Sequence, residues 1–83
     1  MELTSRHRDL LYGAQRGAAY LAPVADTTDR FYAFGLWAMH PAALVGELVD
    51  SGLVTVASET EHRMRPLLLT PAGRVALRDA IGA

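Results

Sequence analysis

The run Leu44-Val45-Gly46-Glu47-Leu48-Val49-Asp50-Ser51-Gly52-Leu53-Val54 changes from a helical to an extended pattern within a few residues. Leu44, Val45, Leu48 and Val49 repeat at the spacing of one buried helix stripe. Pro41 suits a first helical turn, and the residue before it, His40, is pushed out of the α region. These signals predict a helix over 41–51. Gly52 fits the left-handed position after a helix, and Leu53 can fold back on Leu48 as a Schellman stop. Leu53 to Ser58 (Leu-Val-Thr-Val-Ala-Ser) is β-branched and partly alternating, which predicts a strand.

Towards the C-terminus, Glu59-Thr60-Glu61-His62-Arg63 reads as a polar turn and Met64 to Thr70 as the returning strand. Pro66 places part of that strand at an edge, because proline has no amide to donate. Thr70 as N-cap and Pro71 at the first helical position start a last helix. It runs to about Ala80 and buries Val75 and Ala76, with Leu77 and Ile81. Towards the N-terminus, a helix runs from Ser5 to Arg16, capped by Thr4 or Ser5. His7, Leu10, Leu11, Ala14 and Ala18 form its buried face, and Gly17 stops it. Gly13 in its middle costs about 1 kcal/mol relative to alanine and calls for a close neighbouring backbone.

Residues 18–40 are less periodic. Ala19-Tyr20-Leu21 and Arg30-Phe31-Tyr32-Ala33-Phe34 read as short strands, joined by turn residues from Pro23 to Asp29. All the aromatics except Tyr12 fall between Tyr20 and Trp37. Such a cluster is either a local core over a hairpin or a stacking platform for bases or an aromatic ligand. A platform normally interleaves basic residues, and here Arg30 stands alone against Asp26 and Asp29.

Composition sets the outer limits. Eighty-three residues with 51% hydrophobic and 20% charged side chains make one globular domain spanning 1–83. Absence of cysteine excludes a disulfide scaffold and thiolate chemistry. No apolar run is long enough to span a membrane and no signal peptide is legible, so the expected setting is cytoplasmic. The net charge of −1 counts against a strong nonspecific binder of polyanions. Every basic residue is arginine, which fits codon bias or a use of guanidinium chemistry.

The order of helix, Gly52-Leu53-Val54, charged hairpin and Leu69-Thr70-Pro71-Ala72-Gly73-Arg74 resembles winged helix-turn-helix DNA-binding domains of the MarR and PadR type. The likeness covers residues 41–81. It implies an α+β fold: a small winged-helix-like domain of three helices with a C-terminal β-wing, to which residues 18–37 add an N-terminal hairpin. It further implies a transcriptional regulator or accessory factor, acting as a dimer on double-stranded DNA. His40, Ala42, Ala43 and Gly46 would then lie near the major groove, with His62, Arg63 and Arg65 at the tip of the wing.

A second expectation comes from the same helix. It offers Ala42, Ala43, Gly46 and Glu47 but no Arg, Lys, Asn or Gln, the side chains that read base edges. The alternative is a protein–protein interaction module that does not read DNA. Its apolar patch would be Phe31, Phe34 and Trp37, and its partner a second copy or another protein. No catalytic constellation is legible. His7, His40 and His62 lack metal-ligand spacing, no glycine-rich phosphate loop is present, and no cofactor is expected.

Overall fold

A computed structural model describes residues 2–23, 31–60 and 62–82. The first helix, α1 (Ser5–Gln15), is started by Thr4. The Thr4 hydroxyl accepts from the His7 amide at 3.3 Å, and His7 Nδ1 accepts from the Thr4 amide at 3.1 Å. This is a capping box with histidine in the place usually held by Glu or Gln. After α1, Gly17 takes a left-handed φ of 71° and reverses the chain. The amides of Ala18 and Ala19 then both donate to the Gly13 carbonyl. That reversal is the close approach Gly13 calls for: a Cβ there would sit 2.8 Å from Ala19 Cβ and 3.1 Å from the Leu36 nitrogen.

The remaining elements are β1 (Tyr20–Pro23), β2 (Phe31–Phe34), β3 (Met39–Pro41), α2 (Ala43–Asp50), β4 (Val54–Val56), β5 (Arg65–Leu69) and α3 (Pro71–Gly82). The strands form one sheet in the order β3-β2-β1-β5-β4, with every neighbouring pair antiparallel. Register places Ala33 between Leu21 and His40, and Leu67 beside Val56. Because side chains alternate across a strand, one face of the sheet carries Leu21, Ala33, His40, Val54, Val56, Leu67 and Leu69. Leu10, Leu11 and Ala14 of α1, Val45 and Leu48 of α2, and Leu77 of α3 join that face in a single buried cluster. All three helices therefore share one side of the sheet.

This architecture corrects the expected order of three helices followed by a C-terminal wing. The domain is α+β with three helices, but the strands are interleaved with them: β1 to β3 precede α2, and β4 and β5 lie between α2 and α3. Residues 18–41 build sheet because β1 finds a partner on both sides. Tyr20 lies opposite Phe34 in β2 and Pro66 in β5, so the first strand occupies the sheet centre. The hairpin expected from the early strands, extended by β3, is thus the larger part of a five-stranded sheet.

Local differences follow. Pro41 ends β3 opposite Tyr32 and does not open α2, which begins after Ala42 without a side-chain cap. Val49 and Val75, expected in the core, are 41% and 46% exposed, while Leu77 is buried. The strand spanning 64–70 narrows to β5. Arg30 and the loop from Asp26 to Asp29 lie outside the described residues, as does the side chain of Ile81.

The expected helix stop is present in full. Gly52 has φ 75°, its amide donates to the Val49 carbonyl, and the Leu53 amide donates to the Leu48 carbonyl at 3.0 Å. The start of α3 is fastened to this turn. The Thr70 hydroxyl accepts from the Gly73 amide at 2.9 Å and faces the carbonyls of Gly52 and Leu53 at 2.7 and 2.9 Å. The Thr70 amide donates to the Leu53 carbonyl at 3.1 Å. Gly73 lies against the same carbonyl, where a Cβ would collide with the oxygen. Gly52, Leu53, Thr70 and Gly73 therefore form one lock between the end of α2 and the start of α3.

Candidate functional site

Three regions carry the residues singled out from sequence. The first is the exposed side of α2 with the strand before it. His40 is withdrawn from any ligand: it is buried, and its Nε2 lies 2.5 Å from Asp9 Oδ2. This corrects its placement at a DNA-facing surface. Ala42 is half-buried, whereas Ala43 and Gly46 are exposed, and a Cβ at Gly46 would meet nothing within 4 Å. The other exposed residues of this helix are Glu47, Val49 and Asp50. The surface is thus small, apolar and acidic, a combination that repels phosphate.

The second region is the β4–β5 hairpin. His62, Arg63 and Arg65 are all exposed there. Thr60 organises the turn: its amide donates to the Met64 carbonyl at 2.7 Å, and its hydroxyl accepts from the amides of His62 and Met64. Arg63 stands at φ 62°, a left-handed conformation more natural to glycine. Its Nε lies 3.7 Å from Glu59 Oε1, and Arg65 Nε donates to the Ala57 carbonyl at 3.3 Å. Both guanidinium groups are therefore in contact with their own hairpin. The exposed Arg63–Glu59 pair adds little stability.

The third region is the aromatic cluster, which the sheet divides. Phe34 points to the face away from the helices and stacks on Tyr20, with ring centroids 4.9 Å apart and planes 15° apart. Phe31 lies opposite Pro23 and, by alternation, on the other face. Trp37 sits in the β2–β3 turn, 71% exposed, with its ring edge-on to Tyr12 at 5.5 Å. Phe31, Phe34 and Trp37 do not make one patch.

Register instead gathers a different set. The sheet face away from the helices carries Met39 and Pro41 on β3, Tyr32 and Phe34 on β2, Tyr20 and Ala22 on β1, Pro66 and Leu68 on β5, and Thr55 on β4. None is charged. Met39 and Leu68 are 54% and 52% exposed, and Tyr32 is exposed as well. Among the described residues no helix covers this face. Met39 and Leu68 were missed from sequence because β3 has only three residues and β5 reads Leu67-Leu68-Leu69 without alternation.

Two polar links, one buried and one reaching an exposed carboxylate, were also missed. Asp9, a charged residue on the core side of α1, accepts from the Trp37 amide at 2.9 Å and the Ala38 amide at 3.2 Å, besides bonding His40. Burial alone would raise its pKa. The His40 hydrogen bond, the two amides and the charge on the His40 ring outweigh that and hold the carboxyl below its usual value. Gly35 follows from the same carboxylate, which occupies the space a Cβ would need. The second link joins His7 Nε2 to Glu47 Oε2 at 2.9 Å. Since Nδ1 accepts from the Thr4 amide, Nε2 carries the proton and donates to Glu47. Hollows of about 330 and 500 Å³ flank this pair, lined largely by Glu2, Glu47, Asp50, Thr4, Ser5 and Arg6. Both hollows are shallow and open to solvent, and lack the enclosure typical of a small-molecule pocket.

Among the described residues, no group of three or more His, Asp or Glu side chains is placed to hold a metal ion. Among the same residues, no helix is long and apolar enough to cross a membrane. No protein-family model, curated protein or solved structure matches this chain.

Proposed function

We propose that the chain is a protein–protein interaction module that docks through the outward face of its sheet. The observation that carries this reading is that face: uncharged across five strands and left open by helices that all pack on the other side. Exposed apolar patches of several hundred Å² on a small domain mark contact surfaces. The acidic surface of α2 supports the same choice over base reading. A cytoplasmic setting belongs to this proposal and accords with the absence of cysteine.

Carbene footprinting tests it. The full chain is labelled once as dilute pure protein and once in extract of the cells that make it. Tyr32, Met39 and Leu68 should label strongly in the first and be protected in the second. Equal labelling in both overturns the proposal.

DNA binding is a second reading, favoured by the exposed His62, Arg63 and Arg65 on one hairpin. It expects a salt-dependent mobility shift on duplex DNA that the Arg63→Glu, Arg65→Glu double variant abolishes. A wild-type chain that shifts no duplex at low salt removes it.

A further inference from the structure

We infer that the occupant of the outward sheet face is a second copy of this chain, packed face to face as a two-fold symmetric dimer. This deepens the interaction reading and rests on it.

Charge is the first argument. The outward positions of all five strands are uncharged, so two copies of the face meet without burying an ion or opposing like charges. Arg65, the nearest strand cation, lies opposite Leu21 and so belongs to the other face.

The second argument is shape. β1 is the middle strand of five. On one side of it stand Phe34, Tyr32 and Met39; on the other stand Pro66, Leu68 and Thr55. A two-fold axis lying close to β1, within the interface, sets the aromatic half of one copy on the Pro66 and Leu68 half of the other. Both contacts then occur twice, as an isologous interface requires. Stacked sheets normally lie about 10 Å apart, which side chains of these sizes fill.

The third argument is area. At roughly 200 Å² for a side chain of this class, the exposed fractions of Tyr32, Met39 and Leu68 give about 280 Å². The half-buried Tyr20, Phe34 and Pro66 and the smaller residues bring the face to roughly 500 Å². Two faces together then remove about 1,000 Å², the lower bound for a specific interface. An interface at that bound is a weak, reversible one.

The experiment is sedimentation equilibrium of the full chain from about 1 µM to 1 mM, with carbene footprinting at both ends. The expected result is a rise in mass from 9.0 kDa towards twice that value, with Tyr32, Met39 and Leu68 becoming protected as the dimer forms. Leu68→Arg should remain monomeric throughout, with unchanged circular dichroism. Met39→Glu, on the opposite half of the face, should do the same, so that misfolding of one variant does not decide the matter. Val75→Arg, on exposed α3, should dimerise like the wild type. A wild-type chain that stays monomeric at 1 mM overturns the second-copy proposal. If its face is nevertheless protected in cell extract, the interaction reading stands with a different partner. If it is protected in neither, both fall. A dimer that both face variants retain also overturns the proposal.

Discussion

Replacing Asp9 by alanine should remove a large share of the stability of this domain, although the residue is one carboxylate on one helix. Its two oxygens satisfy the amides of Trp37 and Ala38 and the ring of His40, which is 6% exposed. Each buried polar group left without a partner costs about 1–3 kcal/mol. Only the His40 ring is fully buried; Trp37 and Ala38 are exposed residues whose amides can turn to water, so about 2–4 kcal/mol is expected for the set. A domain of this length has about 4–12 kcal/mol in total. Asp9→Asn keeps the volume and one acceptor oxygen, and should lose only about 1–2 kcal/mol. Urea denaturation followed by circular dichroism at pH 7 measures both. Amide exchange should show Trp37 and Ala38 deprotected before the rest of the sheet. An Asp9→Ala loss below about 1 kcal/mol would refute the claim that this carboxylate holds the β2–β3 hairpin to α1.

The same contact sets a pH dependence with a definite sign. The folded carboxyl is held below the unfolded value of about 3.9, so its contribution is fully present above that pH. It is lost as pH falls through the folded pKa, because the unfolded chain takes up the proton first. The stability gap between wild type and Asp9→Asn should therefore narrow below about pH 4. A gap that widened on acidification would mean the carboxyl is not held low.

The helix glycines should separate by sign. Gly46→Ala meets open space and should stabilise by about 0.8–1 kcal/mol through helix propensity. Gly13→Ala drives a methyl into Ala19 and should cost about 1–3 kcal/mol. Gly73→Ala should cost at least as much, since its obstacle is the Leu53 carbonyl and not a movable side chain. Thermal midpoints of the three variants check the ranking. Arg63→Gly relieves a left-handed arginine and should raise stability by about 1 kcal/mol. An unchanged or lower midpoint would mean the turn has another constraint at that position.

Much of the skeleton was legible in the sequence because its signals are local. Thr4, Gly17, Gly52 and Thr70 mark element ends by capping or by φ, and the structure uses each of them in that way. Partners distant in sequence were not legible. Asp9 reads as a polar interruption of a helix face until Trp37 and His40 arrive beside it, 28 and 31 residues later. The outward face was hidden for a related reason. Its strands are three to five residues long, too short to display alternation, and only the register between them shows which side chains point together.

The motif that suggested a DNA-binding family has a structural use in this chain. Gly52-Leu53 and Thr70-Pro71-Ala72-Gly73 are bonded to one another, with the Leu53 carbonyl taking the Thr70 amide and lying near its hydroxyl while Gly73 leaves it room. Those residues fix how a helix leaves a two-stranded ribbon. A sequence can hold this lock unchanged while the surfaces around it change their task. What the chain can bind depends on side chains outside the lock. On α2 these are alanine, glycine, valine and carboxylates. On the outward sheet face they are aromatic and aliphatic and carry no charge. Under the proposed function, the chemistry of these surfaces, and not the order of the motif, selects the partner.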